Sequence, residues 1–149
     1  MELLTPDTGN ELFTLATEFV ANTSRHIFLT GKAGTGKTTF LKYIKDKTNK
    51  NTVVAAPTGV AAINAGGATL HSLFQLPFGP FIPGNRGFNS NGVTDASNLL
   101  KHLRLSSAKR ELLQEMDLLI IDEVSMLRSD MLDAIDTILR SVRKNHLFP

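Results

Sequence analysis

Apolar positions along this chain fall into two periodicities, and the switches between them mark its elements. Leu12, Leu15, Ala16, Phe19 and Val20 recur at helical spacing behind Thr8-Gly9-Asn10-Glu11, which fits a capping box with Thr8 as N-cap. A first helix is expected from about Gly9 to Ala21, ended by Asn22-Thr23-Ser24. The short run His26-Ile27-Phe28-Leu29-Thr30 has strand character, and Thr39 to Lys45 or Asp46 reads as helix. Beyond the polar turn Lys47–Asn51, Thr52-Val53-Val54-Ala55-Ala56 is β-branched and apolar, as suits a buried parallel strand. Pro57 to Ala62 breaks that strand and starts a helical turn, Gly66-Gly67 punctuates, and Thr69 to Phe74 reads as a short helix.

The second half repeats the alternation. Pro77 to Thr94 is rich in Pro, Gly and Asn, a long loop of the kind that is functional or disordered. Asp95 to Leu105 has a helical pattern with Leu99, Leu100 and Leu103 on one side. Ser106-Ser107 offers a new N-cap, and Ala108 to Met116 is expected to bury Leu112 and Leu113. Leu118-Leu119-Ile120-Ile121 is a continuously apolar third strand. Ser129 is expected to cap a last helix carrying Leu132, Ile135, Ile138, Leu139 and Val142, whose basic end (Arg140, Arg143, Lys144) suits the helix dipole.

Composition narrows the class. The 149 residues have the size of one domain, and a 42% apolar share supports a core. No stretch approaches the ~20 apolar residues of a membrane helix. The first residues lack a basic segment followed by an apolar one, so no signal peptide is expected. There is no cysteine, which excludes disulfides and thiolate metal sites and fits a cytoplasmic location. A net charge of +2 permits a nucleic-acid partner without arguing for one.

Chemistry concentrates in two places. Gly31-Lys32-Ala33-Gly34-Thr35-Gly36-Lys37-Thr38-Thr39 reads GxxxxGK(S/T) between a strand-like run and a helix, the context a phosphate-binding loop requires. Glycines allow successive amides to point into one concavity, and the helix adds its positive end. Lys37 can reach β- and γ-phosphates, and the Thr38 hydroxyl can ligate Mg²⁺. The bland alternative is a Gly/Thr-rich turn without a ligand. The third strand ends in Asp122-Glu123. Two acids at such a strand end suit a Mg²⁺ ligand, Asp122, and a general base for water, Glu123. The alternative is an acidic helix cap.

Other features invite plainer readings. His71 has no Cys, Asp or Glu neighbours and reads as a capping or surface residue. Phe78, Phe81 and Phe88, interleaved with Arg86, either stack nucleobases or pin the loop to the core. Lys101, His102, Arg104, Lys109 and Arg110 read as a solvated basic face. The first helix covers the sheet or frames an adenine pocket.

Three segments together, GKAGTGKTTF, VVAAPTGVAAINAGGATLHSLF and LLIIDEVSMLRSDMLDAID, resemble the amino-terminal motor domain of superfamily-one DNA helicases. The nearest group is the petite-integration-frequency family, with RecD-like enzymes next. The resemblance covers most of residues 11 to 140, and its middle segment is the most specific. It implies an α/β RecA-like P-loop NTPase domain over 1–149, three-layered with a mostly parallel sheet and incomplete at its carboxyl end. It also implies ATP with Mg²⁺. Gly34, Thr35, Gly36, Lys37, Thr38 and Thr39 then hold nucleotide, Thr38 and Asp122 hold the metal, and Glu123 and Lys37 serve catalysis. Pro57, Thr58, Gly59, Thr69 and His71 map onto positions at single-stranded DNA, along which the family moves 5′ to 3′. A monomer is expected.

The match departs from the family pattern in two ways. The family carries a Gln before the phosphate loop to read adenine; here none precedes Gln75, and Asn10 is the candidate stand-in. The G-D-x-x-Q-L-P-P segment and the second motor domain with its arginine finger are not in these 149 residues. An arginine finger is worth ~10³–10⁵ in turnover, so this stretch alone is expected to hydrolyse ATP slowly or not at all. The competing expectations are a P-loop nucleotide-binding module without DNA activity and a small phosphotransferase. The second needs an Arg-rich lid and an acceptor pocket, and neither shows in the sequence.

Overall fold

A computed structural model describes residues 11–84 and 92–145. The chain divides into two compact units, 1–52 and 53–149, and each is described by itself. The expected capping residues Thr8, Gly9 and Asn10, and Arg86 and Phe88, lie outside the described residues.

In the first unit, α1 (Glu11–Asn22) packs on α2 (Lys37–Lys47). The contact is aromatic: the Phe13 ring meets Phe40 edge-on at 5.0 Å and Tyr43 at 5.1 Å, geometries that aromatic quadrupoles favour. Phe40 and Ile44 are buried on the inner face of α2. The expected apolar stripe of α1 is only partly right. Val20 is buried, but Leu12, Leu15 and Phe19 are exposed, because α1 turns Phe13 toward α2 and no described strand of this unit runs under the other face.

The run 26–30 is likewise not a strand. Its backbone makes no ladder among the described residues, and Phe28 is 77% exposed. Strand propensity states only that a segment fits a pleated surface; a strand exists when a neighbour supplies the hydrogen bonds. Lys50 steadies the end of this unit by donating its ammonium to the Thr23 carbonyl at 2.6 Å.

The second unit holds a three-stranded sheet. Its centre is β1 (Thr52–Ala56), with β2 (Ala68–Thr69) on one side and, further along the chain, β5 (Leu118–Ile121) on the other. β1 and β2 are parallel, with Ala55 opposite Ala68 and Ala56 opposite Thr69. Between them runs α3 (Gly59–Ala65), and α4 (Leu70–Phe74) follows β2 directly. A two-residue parallel pair, β3 (Phe81–Ile82) and β4 (Thr94–Asp95), closes the long loop. Then come α5 (Ala96–His102), α6 (Ser107–Glu115) and α7 (Ser129–Arg143).

Helix starts in this unit follow local side chains. Thr58, Thr69, Asp95 and Ser106 each accept a hydrogen bond from the backbone N–H three residues on, as N-caps do. Asp95 is buried, and this bond to Asn98 at 2.8 Å is what satisfies it. Ser129 is not a cap: it is the first residue of α7, behind Arg128, which gives no side-chain cap. The core gathers Leu70, Phe74, Leu99, Leu113, Met131, Ile135, Ile138 and Val142. Leu112 and Leu132, expected inside, are exposed; Met131 and Ala134 occupy the inner face of α7 instead. Arg143 reaches across to the carbonyls of Leu113 and Met116 at 3.0 and 2.7 Å, tying α7 to the end of α6 beyond any dipole effect.

Candidate functional site

In the first unit the glycine-rich stretch forms a turn leading into α2. Gly34 and Gly36 have φ of 79° and 84°, in the left-handed region where a side chain costs energy and glycine does not. The Thr35 hydroxyl donates to the Lys32 carbonyl at 2.8 Å and closes the turn. Gly31 makes room for it, since a Cβ there would stand 2.8 Å from Thr35 Oγ1. The Lys37 ammonium donates to the carbonyls of Gly31 and Lys32 at 2.8 and 2.9 Å.

α2 begins at Lys37, and its first helical hydrogen bond runs from the Phe40 N–H to the Gly36 carbonyl at 2.9 Å. Helix geometry therefore leaves the amides of Lys37, Thr38 and Thr39 without an intrahelical acceptor. They cap the positive end of the helix dipole, in an exposed turn. The arrangement is an anion cradle: free amides, one ammonium, and the exposed hydroxyls of Thr38 and Thr39.

In the second unit, the remaining sequence-predicted residues gather at one end of the sheet. The Asp122 N–H donates to the Ala55 carbonyl at 3.0 Å, so hydrogen bonding to β1 continues one residue past β5. Asp122 Oδ1 accepts the N–H of Glu123 at 2.9 Å. Glu123 has φ of 52° and opens the short 3-10 turn Val124–Met126. Its carboxylate is exposed while Asp122 is half-buried. Among the described residues nothing else engages the Asp122 carboxylate.

The parallel register puts Thr69 opposite Ala56, two residues before Thr58. Both threonines are N-caps, of α4 and α3, with hydroxyl oxygens 3.1 and 3.3 Å from the amides they accept. Each hydroxyl keeps its proton for an outside acceptor. Pro57, Thr58 and Gly59 thus lie beside Thr69 and His71 at the carboxyl ends of β1 and β2, the edge at which open α/β sheets bind ligands.

Arg128 and Asp130 escaped the sequence reading, as did the contact between His71 and Phe78. His71 stacks on Phe78, with ring centroids 5.7 Å apart and planes 17° off parallel. Of the three aromatics read as stackers or pins, Phe81 is a pin, buried in the core, Phe78 is exposed, and Phe88 lies outside the described residues. Arg128 and Asp130 form a two-point ion pair, Nη2 to Oδ2 at 2.6 Å and Nε to Oδ1 at 2.9 Å. Asp130 Oδ2 also accepts the Phe81 N–H at 2.9 Å, and Arg128 donates to the Gly79 carbonyl at 3.2 Å. The Arg128 hydrogen bond, then the Phe81 N–H, hold the Asp130 carboxyl well below the usual carboxylate range. These partners lie 49 residues apart, so no local pattern marks them.

The whole-chain comparisons agree with one another. The model of the PIF1-like helicase family matches residues 6–148. The ATP-dependent DNA helicase PIF1 of Saccharomyces cerevisiae is 37% identical over 132 residues, which is 85% of this chain and 14% of that protein. A Pif1 helicase from Bacteroides, solved in complex with ADP-AlF3 and single-stranded DNA, is 50% identical with a TM-score of 0.73, over 89% of this chain and 28% of that one. A structure of two coordinating Pif1 helicases unwinding DNA at forked duplex is similar with a TM-score of 0.75 and 50% identity, over 89% of this chain and 29% of that one. The chain therefore spans under a third of the relatives it matches. At these identities the likeness carries the RecA-like α/β fold, and the sequence resemblance to this group of helicases is borne out.

Proposed function

The chain belongs to the PIF1-like helicase family, and from that premise we propose that it is the amino-terminal, ATP-binding part of an ATP-dependent DNA helicase. The observation that carries this reading is that one chain holds both an anion cradle at the start of α2, in its first unit, and two adjacent acids at the end of β5, in its second. The whole enzyme moves 5′ to 3′ along single-stranded DNA and unwinds duplex, acting as a monomer in the cytoplasm.

Each residue has a chemical role. The amides of Gly34 to Thr39 cradle the phosphates. Lys37 trades its bonds to the Gly31 and Lys32 carbonyls for β- and γ-phosphate oxygens, and so neutralises charge that builds during transfer. Thr38 and Asp122 supply oxygen donors, the chemistry Mg²⁺ prefers, and the Asp122 carboxylate has lone pairs to give beyond its one bond from Glu123. Mg²⁺, when bound there, supplies charge neutralisation at the phosphates. Glu123, exposed and unburdened by an ion pair among the described residues, takes a proton from the attacking water. Pro57, Thr58, Gly59, Thr69 and His71 meet the DNA strand, the threonine hydroxyls donating to phosphate oxygens.

The test is binding of a fluorescent ATP analogue with Mg²⁺, followed by hydrolysis with and without oligo-dT in a protein that carries this chain together with its second motor domain. Binding is expected to vanish in Lys37→Ala and to survive in Glu123→Gln, with hydrolysis lost in both and stimulated by oligo-dT in the parent. Hydrolysis indifferent to DNA would leave a nucleotide-binding module and end the helicase reading.

A further inference from the structure

An isolated exposed phenylalanine needs no explanation; Phe78 is not isolated. Its ring is 93% exposed and yet lies stacked on His71. The backbone beyond it is fixed at two successive points, the Gly79 carbonyl by Arg128 and the Phe81 N–H by Asp130. Gly79 also approaches the Gly92 carbonyl so closely that a Cβ would stand 2.2 Å from it. Phe81 is buried to 3% exposure and anchors the far side. A loop held this firmly presents its aromatic ring in a set position, with the conformational cost of ordering it already met on folding.

The surroundings indicate what the ring meets. His71 lies in the first turn of α4, two residues past Thr69, at the carboxyl edge of β1 and β2. Lys109 donates its ammonium to the carbonyl of Ser72, the residue after His71. Among the described residues no carboxylate pairs with Lys109. An aromatic platform, with an unneutralised ammonium held at the residue that follows its backing ring, is a combination that takes up single-stranded nucleic acid, one group for the base and one for the phosphate.

We propose that the outer face of Phe78 stacks on a base of the bound single strand, with His71 as the backing ring and Lys109 at the adjoining phosphate. This rests on the reading of the chain as a DNA-binding part and adds a base contact to the backbone contacts of Thr58 and Thr69. Stacking of this kind tolerates any base, because every base offers a π-face, which suits a protein that travels along DNA.

The chain has no tryptophan, so Phe78→Trp installs a single reporter at the site. Binding to a fluorescein-labelled dT oligonucleotide is followed by anisotropy, and emission of the new indole is followed separately. The expected result is quenching by oligo-dT and none by an abasic strand of the same length at matched occupancy. Phe78→Ala is expected to weaken binding about five- to a hundredfold, with the salt dependence unchanged. Lys109→Ala is expected to lower the salt slope instead. Oligo-dT binding with neither quenching nor loss in Phe78→Ala would overturn the stacking role alone and leave the ring to a protein partner. Failure of the unmodified chain to bind any oligonucleotide at low salt would overturn the DNA reading and this contact with it.

Discussion

Glu123 donates its backbone N–H to the carboxylate of its own neighbour, Asp122, at 2.9 Å, and does so from the left-handed region at φ 52°. The turn that presents both acids is therefore held in a conformation a glutamate adopts at a cost, ~1–2 kcal/mol for an L-residue. Such strain persists where surrounding structure fixes it, commonly at functional sites. Glycine would adopt the turn freely, less ~0.4–1 kcal/mol for the added freedom of its unfolded chain. Glu123→Gly is thus expected to be more stable than Glu123→Ala by about 0.5–1 kcal/mol in urea denaturation, with hydrolysis in the whole enzyme lost in both. Glu123→Gly less stable than Glu123→Ala by the full ~0.4–1 kcal/mol of unfolded-chain freedom would mean the turn carries no strain.

Gly67 gives a sharper steric prediction. A Cβ at this position would stand 2.1 Å from the Val54 carbonyl oxygen and 2.6 Å from its carbon. Both are backbone atoms of β1, which cannot swing aside as a flexible side chain could. Gly67→Ala should force β2 away from β1 and destabilise the chain by about 1–3 kcal/mol, the range for overpacking. Because the β1–β2 register sets Thr69 beside Thr58, the same variant should weaken oligonucleotide binding more than nucleotide binding. A melting temperature unchanged in Gly67→Ala would show that the close approach is absent.

The elements that could be read from sequence are those whose cause is local. Val53 to Ala56 and Leu118 to Ile121 are runs too apolar to lie anywhere but inside, and Ser106 announces the helix it caps. The phosphate loop was legible for the same reason: Gly34, Gly36 and Lys37 act within a few residues of one another. What sequence could not supply was the identity of distant neighbours. His26 to Thr30 looks like a strand but makes no ladder among the described residues, and Thr69, read as the start of a helix, joins a strand with Ala68 only because Ala55 and Ala56 pair with them. Periodicity placed Leu12, Leu112 and Leu132 on apolar faces without knowing how far each face would be covered. The hold of Arg128 and Asp130 on Gly79 and Phe81 depends on a fold that brings α7 to β3, so Phe78 could not be told apart from Phe81 beforehand.

Lys37 is expected to matter for ligand and hardly for folding. Its bonds to the Gly31 and Lys32 carbonyls lie in an exposed turn where water competes. Lys37→Ala should shift stability by no more than about 0.5 kcal/mol, as surface substitutions do. Each charge-assisted bond to phosphate is worth about 1.5–3 kcal/mol, so losing it should weaken ATP binding by at least tenfold. Lys37→Arg keeps the charge but brings a planar fork in place of a compact ammonium, and is expected to restore only part of the affinity. Isothermal titration with ATP and Mg²⁺ alongside thermal melts separates the two effects. A variant that melts early would assign Lys37 to the fold.

Asp130 predicts a pH dependence whose sign is fixed by its partners. The Arg128 hydrogen bond, followed by the Phe81 N–H, depresses its folded pKa, whereas an unfolded aspartate titrates near ~3.9. The native state thus favours the charged form more than the unfolded state does. The resulting stabilisation is complete above the unfolded value and is lost as pH falls from there toward the folded value. Asp130→Asn removes it at every pH. The difference in melting temperature between the parent and Asp130→Asn should therefore be widest near neutrality and narrow as pH drops below about 4. It should also shrink in high salt, since the Arg128 side of the pair is half-exposed. In Asp130→Asn the Gly79–Phe81 backbone loses the ion pair that fixes it, so oligonucleotide affinity should fall in this variant, whereas the folded parent keeps Asp130 charged, and its affinity, until pH nears the depressed folded pKa. A gap in melting temperature that stayed constant from pH 7 to pH 3 would mean that the Asp130 charge contributes nothing and that the loop is held by the burial of Phe81 alone.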